Sequence, residues 1–141
     1  MMYIHHVGYL VKKIAKARAV FIELGYREQK GVVYDECRDT FILFMEKDGY
    51  TIELVSPGSK ESVVYSLIKR YKNTPYHICY CSDDFERDIQ SLEETGFMKV
   101  DCPTPAPAID NCRACFIISS QIGLVELLEA DLGMQRQVSR G

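Results

Sequence analysis

The sequence predicts a mixed α+β fold made of two βαβββ modules. Two segments have the apolar periodicity of a helix, and each is preceded by one strand-like run and followed by about three more. The same residue types recur at nearly the same offsets in the two halves, which indicates an internal repeat. We expect module 1 at about residues 3–57 and module 2 at about residues 75–130, related by a pseudo-twofold axis.

The two repeated helices are predicted from the spacing of their apolar residues. Residues 13–26 and residues 82–97 each contain a glycine near the end, Gly25 and Gly96, and glycine is a frequent helix stop. The apolar positions are Ile14, Ala17, Phe21 and Leu24 in the first helix and Phe85, Ile89 and Leu92 in the second.

The segments around these helices are predicted to be strands and loops. The strand-like runs are YIHHVGYLV, GVVYDE, DTFILFME and YTIELVS in module 1, and YHICYCS, MKVDCP, RACFIISS and GLVELLE in module 2. Pro103, Pro105 and Pro107 predict a loop around TPAPAID, residues 104–110. A helix is expected at residues 61–72 inside a connector of about residues 60–73, and the polar residues after 130 are expected to form a loose tail. The second repeated helix should be capped by Ser82, Asp83 or Asp84.

Four residues support the repeat. When His6 is aligned with His77, the helix-ending glycine follows 19 positions later in both halves, so the helices align without a gap. Glu53 follows its histidine by 47 positions and Glu126 by 49, a difference that a loop absorbs. Each module thus supplies one histidine on its first strand and one glutamate on its last.

Composition and charge exclude several classes of function. With 141 residues and 47% hydrophobic content, the chain can bury one substantial core and is expected to form a single domain. A net charge of −3 provides no basic face for nucleic acid. No apolar run approaches the roughly 20 residues that span a bilayer, and the first residues do not resemble a signal peptide. We therefore expect a soluble cytoplasmic protein without nucleic-acid or membrane partners.

The six cysteines are interpreted as reduced thiols, because nothing indicates secretion. Cys112 and Cys115 have the two-residue spacing of a zinc knuckle, and Cys79 and Cys81 would share one strand face. Both pairs lie in apolar, strand-like runs, whereas structural zinc sites usually have turn-forming glycines nearby. Small buried hydrophobic residues are therefore favoured over a zinc or redox site.

A glutamate within an apolar strand needs an explanation, because an unpaired buried carboxylate costs several kcal/mol. Taken singly, each glutamate is explained by an exposed strand edge, and each histidine by an ordinary hydrogen bond. The duplicated offsets favour a common explanation, in which pairing of the modules brings the four side chains to one point. Two imidazoles and two carboxylates suit a divalent cation such as Zn²⁺, Mn²⁺, Co²⁺ or Ni²⁺. These predicted ligands are His6, Glu53, His77 and Glu126.

Several stretches resemble the paired modules of the vicinal oxygen chelate superfamily: IHHVGYLV, YTIELVSP, YHICYCSDDFERDIQSLEETGF and IGLVELLE. The resemblance runs to about residue 130 and is greatest to the methylmalonyl-CoA epimerase and lactoylglutathione lyase (glyoxalase I) group. It implies mixed sheets curled into a half-open barrel around a metal site, with the same four ligands. His5 would replace a polar residue that often precedes the first ligand, and it should face away from the metal.

The resemblance implies a divalent-metal-dependent isomerase or lyase that removes a proton next to a metal-bound carbonyl. In glyoxalases a ligand glutamate is thought to act as the base, which here is Glu126 or Glu53. Epimerases use an additional carboxylate, and Glu36 or Asp35 stands in a comparable stretch. The substrate would be an acyl-CoA thioester or a thiohemiacetal. Members of the superfamily often dimerise, and the sequence is compatible with a homodimer. Candidate cations for the phosphates of CoA are Lys60, Lys69, Arg70 and Arg113.

Two other functions share this fold. A non-catalytic small-molecule binding protein of the bleomycin-resistance type would usually have lost the metal ligands. An extradiol dioxygenase would use two histidines and one carboxylate around iron, whereas four ligand residues stand here. The aromatic residues Phe41, Phe44 and Phe116 are expected in the core, some of them lining the substrate end of the cavity.

Overall fold

The computed structural model describes residues 2–130, and the predicted polar tail lies outside them. Within this range the chain forms ten strands, three α-helices and one short 3-10 helix. The first half contains β1 (Met2–Leu10), α1 (Ile14–Glu23), β2 (Arg27–Glu28), β3 (Val33–Asp35), β4 (Thr40–Lys47), β5 (Tyr50–Pro57) and α2 (Tyr65–Tyr71). The second half contains β6 (Thr74–Ser82), α3 (Phe85–Glu94), β7 (Met98–Lys99), β8 (Thr104–Ala106), the 3-10 helix (Pro107–Ile109), β9 (Cys112–Ser119) and β10 (Gly123–Glu129).

Two compact units make up the chain. His6–Tyr76 forms one unit, and the described residues within Met1–His5 and His77–Gly141 form the other. No helix among residues 2–130 is long and apolar enough to cross a membrane. The cytoplasmic location stays a prediction.

In the unit His6–Tyr76 the strands follow the order β2-β4-β5-β1. Strand β1 is parallel to β5, with Gly8 opposite Glu53, and β4 is antiparallel to β5, with Phe44 opposite the same glutamate. The short strands β2 and β3 both pair with β4, so they are two parts of one interrupted strand. The predicted βαβββ order of module 1 is therefore confirmed.

Module 2 repeats this pattern with the strand order β6-β10-β9-β7. Cys79 and Phe116 lie opposite Glu126 on its two neighbouring strands, and β7 and β8 both pair with β9. Gly8 and Cys79 each stand two positions after the histidine of their module. The strand register therefore confirms the alignment of Glu53 with Glu126.

The helices α1 and α3 end in the same way. Gly25 and Gly96 have φ angles of +100° and +108°, a left-handed conformation that glycine adopts without steric cost. The Gly25 N–H donates to the carbonyl of Ile22 at 2.9 Å, and the Gly96 N–H donates to that of Glu93 at 3.1 Å. These bonds satisfy carbonyls that the helix end would leave open. Both predicted helix stops are confirmed.

In each module, one face of the strands is buried against the module's helix. The buried cluster beside α1 is Val11, Ile14, Leu43, Met45, Ile52 and Leu54, and the one beside α3 is Phe85, Ile89, Cys115, Ile117, Val125 and Leu127. Successive strand residues point to opposite faces. The face away from the helix, called the site face here, therefore carries the histidine and glutamate of each module.

Two predicted loop and helix boundaries are wrong. The connecting helix begins at Tyr65, because the hydroxyls of Ser59 and Ser62 accept the N–H groups of Glu61 and Val64 and so compete with the first helical turn. The proline-rich segment 104–110 is an edge strand followed by a 3-10 turn. Proline is tolerated there because β8 pairs with β9 alone among the described strands.

Two details at the ends of the repeated helices also differ from expectation. Leu24 is 58% exposed, so the apolar stripe of α1 ends earlier than predicted. Asp84 is the N-cap residue of α3, but its side chain makes no capping hydrogen bond. The Ser82 hydroxyl instead accepts the Asp84 N–H at 3.1 Å and donates to the carboxylate of Asp88.

Candidate metal centre

The first half-site consists of His6 on β1 and Glu53 on β5. The His6 side chain is fully buried and that of Glu53 is 7% exposed, with His6 Nε2 lying 3.5 Å from Glu53 Oε1. The parallel pairing of β1 with β5 brings the two strands together, and the alternation of side chains puts both residues on the site face. His5 precedes His6 on the strand and is half-buried.

The second half-site has the same construction. His77 on β6 and Glu126 on β10 are both buried, and His77 Nε2 lies 3.3 Å from Glu126 Oε1. Strands β6 and β10 are parallel neighbours, as β1 and β5 are. The structure thus brings each predicted histidine together with the glutamate of its own module.

A phenylalanine completes each half-site. The rings of His6 and Phe44 meet edge to face, with centroids 5.2 Å apart, and those of His77 and Phe116 do so at 5.1 Å. Such contacts restrict the orientation of the imidazole. Sequence reasoning expected these phenylalanines in the core, with some aromatic residues lining the substrate end of the cavity, and did not pair either one with a glutamate. Their common position opposite the glutamate could have been found by extending the repeat alignment, because they follow their histidines by 38 and 39 positions.

The donor atoms fit a divalent cation. Nitrogen–oxygen separations of 3.3 and 3.5 Å are longer than an ordinary N–H···O hydrogen bond of about 2.9 Å. Two ligands held about 2.1 Å from one ion at a tetrahedral angle lie about 3.4 Å apart. Imidazole nitrogen and carboxylate oxygen are both ligands of zinc and related ions. Each half-site therefore has the chemistry and the spacing of adjacent metal ligands.

The predicted additional carboxylates occupy different environments. Glu36 lies in an exposed turn after β3. Asp35 is 1% exposed and accepts both the Arg38 backbone N–H at 3.1 Å and the Arg38 guanidinium at 2.7 Å. Asp35 therefore holds this turn together, whereas Glu36 is open to solvent.

Of the cations considered for CoA phosphates, Arg113 is engaged within module 2. Its guanidinium donates to Glu129 and Glu86 and lies over the ring of Phe85, with its carbon 5.0 Å from the ring centroid. The hydrogen bonds to the two carboxylates raise the pKa of Arg113. Lys60, Lys69 and Arg70 are exposed. Phosphate binding by any of these cations stays a prediction.

The six cysteines are free thiols. Cys79, Cys81 and Cys115 are buried, as the sequence predicts, whereas Cys37 and Cys102 are exposed. Burial raises the pKa of Cys115 to about 11, so this thiol is protonated at neutral pH.

Comparison with known proteins identifies the family. Residues 5–116 match the model of the Glyoxalase/Bleomycin resistance protein/Dioxygenase superfamily. The chain belongs to this superfamily. No curated protein matches the sequence.

Solved structures with a similar fold cover nearly the whole chain. A hypothetical protein from Bacillus halodurans C-125 is 23% identical, with a TM-score of 0.81 over 92% of this chain and 95% of that one. Methylmalonyl-CoA epimerase from Mycobacterium tuberculosis is 19% identical, with a TM-score of 0.80 over 94% and 91%. A methylmalonyl-CoA epimerase in complex with methylmalonyl-CoA and NH4+ is 16% identical, with a TM-score of 0.78 over 94% and 96%. The predicted superfamily fold is therefore confirmed.

Proposed function

We propose that the protein is a divalent-metal-dependent isomerase or lyase that moves a proton next to a substrate carbonyl, as in methylmalonyl-CoA epimerase or lactoylglutathione lyase. The observation that carries this proposal is the pair of equivalent, buried His–Glu half-sites. A buried carboxylate beside an imidazole in each copy of a module is costly for the fold alone. A function that uses both copies explains the cost.

The proposed metal ligands are His6, Glu53, His77 and Glu126. A protein site for a divalent ion usually supplies three or four ligands, and each half-site has only two. Two half-sites acting on one ion would supply four and leave coordination positions for a substrate. Zn²⁺, Ni²⁺, Co²⁺ and Mn²⁺ all accept this mixture of nitrogen and oxygen ligands.

When bound, the cation would polarise the substrate carbonyl and so acidify the neighbouring C–H bond. The protein's own part is the proton transfer. In a lyase of the glyoxalase type, the carboxylate that accepts the proton from carbon returns it to the adjacent carbon, whereas in an epimerase a second acid donates a proton to the opposite face of the same carbon. We assign this role to Glu126 or Glu53. Epimerisation needs an acid on each side of the carbon, and Glu36 is the further candidate.

The substrate class proposed is a thioester of CoA or a thiohemiacetal of a thiol. Several proteins with this fold are methylmalonyl-CoA epimerases, one of them in complex with methylmalonyl-CoA. That likeness makes methylmalonyl-CoA the first substrate to test. A homodimer and a cytoplasmic location remain part of the proposal.

The experiment measures metal and proton transfer on the same samples. Purified protein is analysed for bound metal, then incubated in D₂O with methylmalonyl-CoA or with the methylglyoxal–glutathione adduct. NMR follows the exchange of the substrate proton and the appearance of product. We expect about one metal ion per chain and turnover of one of the two compounds that a chelator abolishes.

Neighbouring histidines provide a matched control. His6→Asn should lose metal and activity, whereas His5→Asn should retain both, because the proposed ligand set contains His6 and not His5. Equal loss in both variants would contradict the assigned ligand set.

The alternative is a non-catalytic small-molecule binding protein, and the superfamily to which the chain belongs includes bleomycin resistance proteins. A protein that binds no metal, turns over neither compound and binds small molecules equally with and without chelator would favour it.

A further inference from the structure

We infer that an exposed apolar surface on module 2, called here the apolar patch, binds the alkyl portion of the substrate and so determines its length. The patch is formed by Met98, Val100 and Ile118, which are 66%, 56% and 42% exposed. Describing the ligand as a substrate rests on the proposed function. The binding itself does not.

The strand register puts the patch on the site face. Residues directly opposite one another in a ladder share a face. Met98 is opposite Ile118, and Ile118 is opposite Leu124, two positions before Glu126. Ile118 is also two positions after Phe116, about 7 Å along β9. The Val100 N–H donates to the carbonyl of Phe116 at 2.8 Å, which extends the β7 pairing toward the half-site. The patch therefore continues directly from the His77–Glu126 pair.

The equivalent positions of module 1 show that the fold does not require apolar residues there. Arg27, Gln29, Glu46 and Thr51 have the same register positions as Met98, Val100, Ile118 and Leu124. Arg27 donates to Glu46 at 2.6 Å, and the Gln29 amide donates to Glu46 at 3.1 Å and to Thr51 at 2.9 Å. One module therefore has a polar network where the other has apolar side chains, three of which are exposed.

This asymmetry indicates a ligand with an apolar part. Exposed, contiguous aliphatic residues beside a site for polar chemistry are typical of binding surfaces rather than of ordinary solvent-facing strands. The phenylalanines agree with this: Phe44 is buried, whereas Phe116 is partly exposed and continues the apolar surface. A short alkyl chain attached to the reacting carbonyl would lie across Phe116 and Ile118 toward Met98.

The test uses straight-chain carboxylates of four, six and eight carbons as probes, added to metal-free protein and to protein treated with Zn²⁺, which is diamagnetic and leaves the NMR signals sharp. The methyl groups of methionine and isoleucine are ¹³C-labelled and observed by NMR. We expect the Met98 and Ile118 signals to shift, with the dissociation constant falling by about two- to fourfold for each added methylene. Ile78 is the internal control, because it is similarly exposed, at 38%, but lies on the helix side of β6.

Variants make the result decisive. Ile118→Thr should remove most of the dependence on chain length, and Ile78→Thr should leave it unchanged, while both keep a β-branched residue in the strand. An affinity that is independent of chain length overturns the inference. So does a shift of the Met98 and Ile118 signals with protein concentration alone, which would assign the patch to a second copy of the chain. Because the probes need no turnover, chain-length-dependent binding by a protein inactive in both assays would contradict the proposed function and leave this inference standing.

Discussion

Replacing Glu53 with glutamine separates a metal ligand from a structural ion pair. The two side chains of the His6–Glu53 pair are 0% and 7% exposed, and their nearest nitrogen and oxygen lie 3.5 Å apart. If both were charged, the attraction would be about 4.7 kcal/mol at an effective dielectric constant of about 20. Removing both ions from water costs several kcal/mol each, which offsets this gain. We therefore expect Glu53→Gln to change the stability of the metal-free protein by no more than about 1 kcal/mol.

The metal-bound protein should respond differently. A cation at 100 times its dissociation constant stabilises the folded state by about 2.7 kcal/mol. For a chain of this size, that raises Tm by about 10 °C. Glu53→Gln should lose most of this increase, because a neutral amide is a weaker ligand than a carboxylate. Glu126→Gln, at the equivalent position of module 2, should behave in the same way.

Thermal unfolding of chelator-treated protein, with and without added Zn²⁺, Ni²⁺, Co²⁺ or Mn²⁺, measures both quantities. Glu46→Gln is the control, because Glu46 lies on the same site face but is bound to Arg27 and Gln29. It should leave the metal-induced rise in Tm unchanged. Breaking a structural buried ion pair is expected to cost about 3 kcal/mol or more. The reasoning is therefore refuted if Glu53→Gln destabilises the metal-free protein by that much and still shows the full metal-induced rise in Tm.

Three further predictions concern the framework around the site. Gly58→Ala should destabilise the protein by about 1–2 kcal/mol in urea unfolding, because the new Cβ would collide with the Asp39 carboxylate. Gly31→Ala is the control: its Cβ would meet nothing within 4 Å, so it should be neutral or slightly stabilising. Hydrogen bonds from Ser59 and Tyr34 lower the pKa of Asp39, so stability from this group is present above about pH 4 and is lost as the pH falls; Asp39→Asn should flatten that part of the pH–stability curve. Iodoacetamide at pH 8, followed by mass spectrometry, should modify exposed Cys37 and spare Cys115, whose pKa is raised to about 11; rapid labelling of Cys115 in the folded protein would contradict its assigned burial.

The repeat made most of the fold predictable from the sequence. Helix stops at Gly25 and Gly96 and the offsets from histidine to glutamate fix which strands correspond, and hydrophobic alternation fixes which face of each strand is buried. The same reasoning found each His–Glu half-site, because an acid in an apolar strand is conspicuous. The start of α2 was missed because serine hydroxyls of the preceding loop decide it, and such local competition leaves no periodic signal.

The surroundings of the half-sites were harder to predict than their histidines and glutamates. Phe116 and Ile118 look like core residues in a linear sequence, and the pairing of β9 with β10 shows that they share a face with Glu126. The polar network around Glu46 depends on β2, a strand of two residues that is too short to give an alternating pattern. Features that depend on strand register rather than on composition therefore required the structure.

A comparison of the two modules shows which residues the fold leaves free and which it does not. Several core positions beside the helices differ between the copies: Leu43 corresponds to Cys115, and Met45 to Ile117, with all four fully buried. Packing thus tolerates different side chains at equivalent places. The histidine, glutamate and phenylalanine of each half-site are nevertheless identical in the two copies, although a buried acid is among the most expensive residues to place in a strand. Packing alone would not keep the destabilising buried residues of the half-sites the same while ordinary core residues changed. A shared chemical task for the two half-sites is therefore the simplest physical explanation.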